Sequence, residues 1–193
     1  MSSIMKQSKE EQKKAFRAQC LRQLEKASGY GSYFKDKKTV ALLYDIIKER
    51  KAKEVMAYLP LKSEVNLYGL ITRLRKEKRV LYVPFMEGAS FRLVKYRLPL
   101  KTKQFGIKEP NDSKQFRKKK LDMAIVPMVG TDATHRRVGF GKGMYDRFFE
   151  KQAKSINYTV FVARHWCYSQ TIVTDDHDVK ADMIITAQPF LQR

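Results

Sequence analysis

The sequence predicts an α/β fold, with helices on both faces of a mostly parallel central sheet. Helical and strand-like segments alternate through most of the chain. Segments 121–129, 158–163 and 183–186 are apolar throughout, which is typical of strands buried on both faces. No repeat or linker divides the 193 residues. We therefore expect residues 1–193 to form one domain of ordinary size.

Four segments have the apolar spacing of amphipathic helices. The first covers residues 7–28 and ends before Gly29. Its apolar face consists of Phe16, Cys20, Leu24 and Ala27. The second lies around residues 40–47, the third covers 64–78, and the fourth covers 144–154. Each presents one apolar face, so each is expected to pack against the sheet.

Further strands are predicted in the first half of the chain. Residues 55–59 form a short apolar run before Pro60, and residues 80–85 are apolar enough for a buried strand. Residues 91–96 alternate apolar and polar side chains, which is typical of a half-buried strand. The tract 101–120 is polar and has no sustained periodicity, so we expect a long surface loop there.

The composition excludes several classes of protein. A chain that is 43% hydrophobic can bury a core, so general disorder is not expected. No apolar run approaches the roughly 20 residues that cross a bilayer, and the charged N-terminus lacks a signal core, so we expect a cytoplasmic protein. Cys20 and Cys167 are too few and too scattered for a disulfide scaffold or a zinc site, so buried reduced thiols are expected.

The net charge of +20 indicates a polyanionic partner. Nucleic acid, an acidic membrane surface, nucleotide phosphates and polycarboxylated metabolites all meet that description. Composition alone does not choose among them.

A glycine-rich loop carries the strongest local signal. Residues 136–147 read RRVGFGKGMYDR, between a buried strand and a helix. Glycine at every second position lets a ligand approach the backbone, and the following helix supplies N–H groups and a positive dipole end. Arg137 and Lys142 add cationic charge, so the loop is predicted to bind phosphate. It is neither a Walker A loop nor a G-x-G-x-x-G fingerprint, because Gly143 follows Lys142 and the glycines are spaced G-x-G-x-G.

Asp146 lies in the first turn of that helix, where a carboxylate would repel a bound phosphate unless a cation lay between them. Mg²⁺ is bound by one or two carboxylates together with phosphate oxygens, so Asp146 is a candidate ligand. Asp182, just before the last strand, could complete the metal shell. Alternatively, Asp146 interacts with the helix dipole or pairs with Arg147. Most of the acidic run 175–178 is expected to be a solvated turn.

Other candidate residues give weaker signals. Lys13 and Arg17 are spaced i, i+4, so they share one helix face and could reach a polyphosphate together, although a lysine-rich helix shows such pairs by chance. Glu64 lies at a predicted helix start, where an acid usually serves the cap or the dipole. The three histidines show no zinc-site spacing, and no serine or cysteine has the context of a nucleophile.

Around the glycine loop the sequence resembles the 5-formyltetrahydrofolate cyclo-ligases, also called methenyltetrahydrofolate synthetases. Residues 137–146, RVGFGKGMYD, are similar to the signature R-L-G-x-G-x-G-Y-Y-D of that family. Further matches follow in the same order over nearly the whole chain: K-x-x-x-R at Lys13 and Arg17, Leu59 with Glu64, F-G-I-x-E-P at 105–110, Asp132 ahead of Arg137, and H-D at His177 and Asp178. The chain departs from the family pattern at four places. Gly130 and Thr131 stand near where the family usually has an aromatic residue, and His135 replaces a loop glycine. Cys167 replaces a frequent glutamine, and Val173 replaces a frequent proline.

The resemblance implies a ligand set. ATP would be held by Lys13 and Arg17 and by the loop residues Arg137, Val138, Gly139, Phe140, Gly141, Lys142, Gly143, Met144 and Tyr145. The folate would contact Leu59, Glu64, Phe140, Gly141, Lys142, Gly143 and Met144. Magnesium would be bound by Asp146 and Asp182, and Lys142 and Arg137 would neutralise charge during phosphoryl transfer.

The activity implied is the ATP- and Mg²⁺-dependent conversion of 5-formyltetrahydrofolate, with or without a polyglutamate tail, to 5,10-methenyltetrahydrofolate. We expect a cytoplasmic monomer without a membrane partner. Two alternatives remain. One is a nucleic-acid-binding protein that uses basic runs such as 117–120. The other is a different ATP-using or sugar-phosphate enzyme, because a fold does not determine a function.

Overall fold

A computed structural model describes residues 2–102, 108–110 and 120–187, with side chains from residue 9 onward. Its helices are α1 (Ser2–Ala27), α2 (Ser32–Glu49), α3 (Tyr68–Lys76) and α4 (Met144–Gln152), which continues into a 3₁₀ turn (Ala153–Ser155). Its strands are β1 (Glu54–Met56), β2 (Val80–Glu87), β3 (Ser90–Lys95), β4 (Leu100–Thr102), β5 (Lys108–Pro110), β6 (Met123–Pro127), β7 (Gly130–Asp132), β8 (Arg137–Val138), β9 (Thr159–Ala163), β10 (Tyr168–Ser169) and β11 (Met183–Thr186). Residues 105–107 of the family match and 117–119 of the basic run lie outside the described residues.

The central sheet has six strands in the order β11-β9-β6-β1-β2-β3. All neighbouring strands are parallel except β2 and β3, which form an antiparallel hairpin. Every residue of β6 and β9 is buried, as their apolar sequences predict. The predicted mostly parallel sheet is therefore confirmed.

Helices cover both faces of this sheet, which confirms the predicted α/β layers. Alternate residues of β6 enter different cores, with Ile125 facing α2 and α3 and Val126 facing α1 and α4. The first core contains the α2 and α3 residues Leu43, Ile47, Leu70 and Leu74. The second contains the α1 and α4 residues Cys20, Leu24, Phe148 and Phe149. In the described part of the chain, no helix is long and apolar enough to cross a membrane.

The segment between β1 and α3 differs from the prediction. The helix begins at Tyr68, four residues later than expected, and the strand ends at Met56. Residues 57–67 form an irregular but largely buried connection. Glu64 therefore lies in a turn, where its carboxylate accepts a hydrogen bond from the Leu61 N–H at 2.8 Å. The apolar character of this segment reflects its burial in a loop.

Several short strands were not predicted. β7, β8 and β10 form a small separate sheet, and β4 pairs with β5 where only a loop was expected. Strands of two or three residues are too short to show periodicity, so the sequence pattern does not reveal them.

The prediction of two reduced thiols was wrong. Cys20 of α1 and Cys167, between β9 and β10, form a disulfide with a Cα–Cα distance of 5.6 Å. The two residues are 147 positions apart in sequence, so only the packing of α1 beneath the small sheet brings them together.

Candidate active site

The predicted site residues from the glycine loop, α1 and the β1–α3 loop meet at the carboxyl edge of the central sheet. β1 leads into the loop 57–67, which carries Leu59 and Glu64. β6 leads through β7 and β8 into the glycine loop 139–143 and then into α4. Ligands of α/β proteins bind at this edge, because the connecting loops converge there.

α1 packs against the glycine loop. Arg17 Nε donates a hydrogen bond to the Gly139 carbonyl at 2.9 Å. A Cβ at Gly141 would lie 3.7 Å from the Arg17 side chain. Gly143 caps α4 in the left-handed region, with φ of 61°, which an ordinary residue adopts only at a cost. The first-turn N–H groups of α4 have no partner within the helix and point toward this loop. The loop thus has the backbone donors and the adjacent cation that phosphate binding requires.

Arg137 is a buried cation beneath the loop, with its side chain 5% exposed. Its Nε donates to the carbonyl of Pro127, the last residue of β6, at 2.8 Å. Its guanidinium carbon lies 4.8 Å from the centre of the Tyr145 ring. Burial lowers the pKa of Arg137, and the nearby Asp146 carboxylate opposes that shift. The positive charge is therefore held in place before any ligand arrives.

Asp146 faces Arg137 and does not pair with Arg147. Its Oδ1 lies 3.7 Å from Arg137 NH1, whereas Arg147 donates to the carbonyls of Ala89 and Lys142. Asp146 Oδ1 is buried and has no hydrogen-bond donor among the described residues. A carboxylate oxygen shielded from water and lacking a donor is suited to a metal ion, so Asp146 fits the magnesium prediction.

Asp182 lies at the opposite edge of the sheet. Its carboxylate accepts a hydrogen bond at 2.7 Å from the N–H of Thr159, the first residue of β9. Thr159 is aligned with Ala124, near the start of β6, whereas the Arg137–Asp146 pair lies at the end of β6. The structure therefore does not bring Asp146 and Asp182 together around one ion.

Lys13 shares a face of α1 with Arg17, but it contacts carboxylates. Its ammonium forms ion pairs with Asp178 and, at 3.4 Å, with Asp175. Asp178 is buried and also accepts the Asp175 N–H at 2.7 Å. Asp175, His177 and Asp178 each have a potential metal-ligand atom, and these three atoms lie within 4.8 Å of one another. The ammonium of Lys13 already compensates the negative charge of the two aspartates. The expected solvated turn is thus a partly buried, charge-paired turn.

Glu64 is a buried acid in the loop between β1 and α3. Burial raises the pKa of Glu64 to about 7, against the opposing effects of the Leu61 N–H and of Arg137 and Arg164. Burial also raises the pKa of Tyr145 far above its usual value. The positive charge of Arg137, beneath the glycine loop, therefore acts on the Glu64 carboxyl. The folate contact of Glu64 that the resemblance implies stays a prediction.

The remaining predicted residues differ in exposure. Leu59 and Val138 are buried, Phe140 and Met144 are half-buried against the core beneath α1 and α4, and Lys142 is exposed at the loop tip. Phe140, Met144 and Lys142 are accessible to a ligand. Val138 is paired with Gly130 of β7, and its carbonyl accepts the Val129 N–H at 2.9 Å.

The sequence pattern did not single out Arg164 and Asp36. Arg164 directly follows the buried strand β9, and Asp36 lies in α2; both side chains are buried. A charged residue at the carboxyl end of an apolar strand was the available signal for Arg164. Its partner Asp36 lies 128 positions away in the sequence, so no local pattern points to the pair.

The chain is similar in sequence to proteins of one known family. A model of the 5-formyltetrahydrofolate cyclo-ligase family matches residues 9–187. The chain is 26% identical over 142 residues to the 5-formyltetrahydrofolate cyclo-ligase of Haemophilus influenzae, covering 70% of this chain and 76% of that protein. The mouse 5-formyltetrahydrofolate cyclo-ligase is 23% identical over 150 residues, covering 70% and 74%.

Solved structures show the same fold. The 5,10-methenyltetrahydrofolate synthetase of Aquifex aeolicus is 28% identical, with a TM-score of 0.73 over 92% of this chain and 90% of that one. The corresponding Mycoplasma pneumoniae enzyme is 21% identical, with a TM-score of 0.71 over 91% and 99%, and supports the fold alone. Since the family model spans nearly the whole chain, the protein belongs to the 5-formyltetrahydrofolate cyclo-ligase family.

Proposed function

We propose that this protein converts 5-formyltetrahydrofolate to 5,10-methenyltetrahydrofolate at the expense of ATP, with release of ADP and phosphate. One observation carries the proposal beyond family membership. The loop that carries the buried acid Glu64 follows β1, and the glycine loop is reached from β6, so both emerge at the same end of two neighbouring parallel strands. A site that binds both ATP and the folate requires groups for the phosphates and groups for the folate, and these two loops would supply them.

The nucleotide would bind through charge and backbone donors. The N–H groups at the start of α4, Arg17 beside Gly139, and Lys142 at the loop tip would surround the phosphates. Lys13 would join them by exchanging its carboxylate partners for phosphate oxygens. Asp146 would hold Mg²⁺, which supplies charge neutralisation on the phosphate oxygens when bound.

The chemistry needs no protein nucleophile. The formyl oxygen of the substrate would attack the γ-phosphorus of ATP, the bond to the β–γ bridging oxygen would break, and ADP would leave. The second folate nitrogen would then attack the formyl carbon and close the five-membered ring, and its proton would leave with the phosphate. Cleavage of the carbon–oxygen bond releases phosphate. Lys142 and Arg137 would stabilise the charge that develops on the transferring group.

Glu64 and its neighbours would hold the folate. A buried carboxylate is suited to accept hydrogen bonds from ring or amino N–H groups of the ligand. Leu59, Phe140 and Met144 supply the apolar surface that an aromatic ring system needs. Positioning of the two ligands then accounts for much of the rate.

The test is the ATP- and Mg²⁺-dependent appearance of the methenyl chromophore from 5-formyltetrahydrofolate. We expect turnover by the wild type and a loss of about 100-fold or more in kcat for Lys142→Ala. Lys154→Ala, in the 3₁₀ turn that follows α4, removes an exposed lysine outside the site and serves as the control. Folded wild-type protein without turnover would refute the proposal, and unchanged kinetics of Lys142→Ala would refute the role of that lysine.

A further inference from the structure

The loop that carries Glu64 is held from both sides by a buried ion pair. Arg164 Nε and NH2 donate to the two oxygens of Asp36 at 2.7 and 2.8 Å. The side chains of this pair are only 7% and 10% exposed. A two-pronged arginine–carboxylate contact fixes both distance and orientation, which a single contact cannot do.

The remaining donors and acceptors of the pair reach the Glu64 loop. Arg164 NH1 donates to the Lys62 carbonyl at 2.7 Å, two residues before Glu64. Asp36 Oδ2 accepts the N–H of Asn66 at 3.0 Å, two residues after Glu64. The backbone on each side of the acid is therefore bonded to one member of the same pair.

Ser28, at the end of α1, completes the network. Its Oγ accepts from Arg164 NH1 at 2.8 Å and lies 3.4 Å from the Ser63 carbonyl. Within the turn, the Glu64 N–H donates to the Leu61 carbonyl, and the Glu64 carboxylate accepts from the Leu61 N–H. In the same loop, the Tyr58 hydroxyl donates to the Val65 carbonyl. The turn therefore depends on outside partners for its place relative to the glycine loop.

Burying two charges costs free energy, and apolar residues of similar size often stabilise a fold as much or more. A contribution to stability is therefore a weak explanation for the presence of the Arg164–Asp36 pair. A requirement for an exact backbone position explains it more directly. We propose that Arg164 and Asp36 are positioning residues that place Glu64 for binding the folate. This inference rests on the proposed function and extends it to two residues that contact neither proposed ligand.

The experiment compares Arg164→Lys and Asp36→Asn with wild type in steady-state kinetics. Lysine keeps the charge but loses the forked geometry, and asparagine keeps an acceptor for Asn66 but loses the charge. We expect the KM for 5-formyltetrahydrofolate to rise about tenfold in each variant, with the KM for ATP and kcat changing by less than about threefold. The double variant should resemble the single ones, because either change breaks the same unit.

Arg79→Lys is the matched control. Arg79 also bonds a carboxylate, that of Glu77 at 3.0 Å, and a backbone carbonyl, that of Ala52, but at the amino edge of the sheet. It should leave both KM values unchanged. Ser28→Ala removes the hydroxyl that accepts from Arg164 and that lies within hydrogen-bond distance of the Leu24 and Ser63 carbonyls, without altering charge. This milder variant should raise the folate KM in the same direction even if the others fold poorly.

The outcomes are distinct. A lower melting temperature with both KM values unchanged would show a merely structural pair and overturn the proposal. An equal rise in both KM values would also overturn it, because it would show no selective effect on the Glu64 side. Absence of turnover in the wild type would instead refute the proposed function.

Discussion

The guanidinium of Arg137 occupies the space beside Gly139 that any side chain would need. A Cβ at Gly139 would lie 2.5 to 2.7 Å from three guanidinium atoms. Arg137 cannot move aside easily, since it is buried and bonded to the Pro127 carbonyl. We expect Gly139→Ala to lower the free energy of unfolding by about 1–3 kcal/mol, as overpacking does, and to reduce turnover. Urea titration and the chromophore assay measure the two effects.

Gly69→Ala is the matched control for that substitution. Gly69 lies in α3, and a Cβ there would meet nothing within 4 Å. The control should be neutral or stabilising by up to about 1 kcal/mol. If Gly139→Ala behaved like Gly69→Ala, the close packing of Arg137 under the loop would be contradicted.

Substitutions of Asp146 and Asp182 are expected to change the magnesium requirement of turnover differently. Asp146→Asn should raise the Mg²⁺ concentration needed for half-maximal turnover by about tenfold or more, because a charged metal ligand is lost. Asp182→Asn should leave the Mg²⁺ dependence unchanged, since its oxygen can still accept the Thr159 N–H. Magnesium titrations of both variants test this. Equal effects in the two variants would show that both carboxylates serve the same ion.

Glu64 links stability to pH. Its folded-state pKa is about 7, against a usual value of 4.5, so between those values the folded state keeps a proton that the unfolded state has lost. The stabilising contribution of the protonated Glu64 should therefore be complete below about pH 4.5 and be lost as pH rises through 7. Relative to Glu64→Gln, the wild type should lose about 3 kcal/mol over that range. Parallel denaturation curves for both proteins would reveal a pH-independent difference if the carboxyl were not buried.

Two departures from the family pattern have local explanations. The Val173 N–H donates to Asp132 Oδ2 at 2.9 Å, a bond that the frequent proline could not make. His135 adopts a φ of 58°, in the left-handed region where the family's glycine costs less. Val173 thus adds a backbone hydrogen bond, whereas His135 adopts a backbone conformation that costs more free energy for histidine than for glycine.

At the scale of the elements, α1 packs closely against β7 of the small sheet. A Cβ at Gly130 would lie 2.8 Å from Cys20 Sγ and 3.0 Å from Phe16. The Cys20–Cys167 disulfide thus occupies space next to Gly130, near where the family usually has an aromatic residue. The departures at Gly130 and Cys167 therefore have one physical explanation.

Because of the disulfide, we expect the free energy of unfolding to depend on the redox conditions. It joins α1, which carries Lys13 and Arg17, to the connection after β9. Reduction with dithiothreitol should lower the free energy of unfolding by about 2–4 kcal/mol. Urea titration with and without reductant measures the change, and Cys167→Ser should be insensitive to reductant. Two titratable thiols in protein denatured without reductant would contradict the pairing.

The elements with a clear pattern could be predicted, and those held by distant contacts could not. α1, α2 and α4 carry helical periodicity, and β6, β9 and β11 are apolar runs, so each follows from local sequence. The delayed start of α3 could not be predicted, because residues 57–67 owe their burial to the sheet. The glycine loop stands out by its spacing, and the ligand contacts that the family resemblance implies for it stay a prediction. The Arg164–Asp36 pair and the disulfide join residues 128 and 147 positions apart, which no local pattern records.

For the molecule as a whole, the charge of +20 fits anionic ligands without identifying them. ATP and folate together need roughly four to six cations by charge matching, so most of the 40 Lys and Arg residues serve the solvated surface. A nucleic-acid-binding protein would lose affinity steeply with rising salt. That it is a single-domain, cytoplasmic monomer stays a prediction.

The most direct measurement follows the formyl oxygen of the substrate. 5-Formyltetrahydrofolate labelled with ¹⁸O in the formyl group is incubated with the protein, ATP and Mg²⁺, and the released phosphate is analysed by mass spectrometry. If that oxygen attacks the γ-phosphorus, each phosphate formed with the methenyl product carries one ¹⁸O. Turnover that yields unlabelled phosphate, or no methenyl product from folded protein, would contradict the proposed reaction.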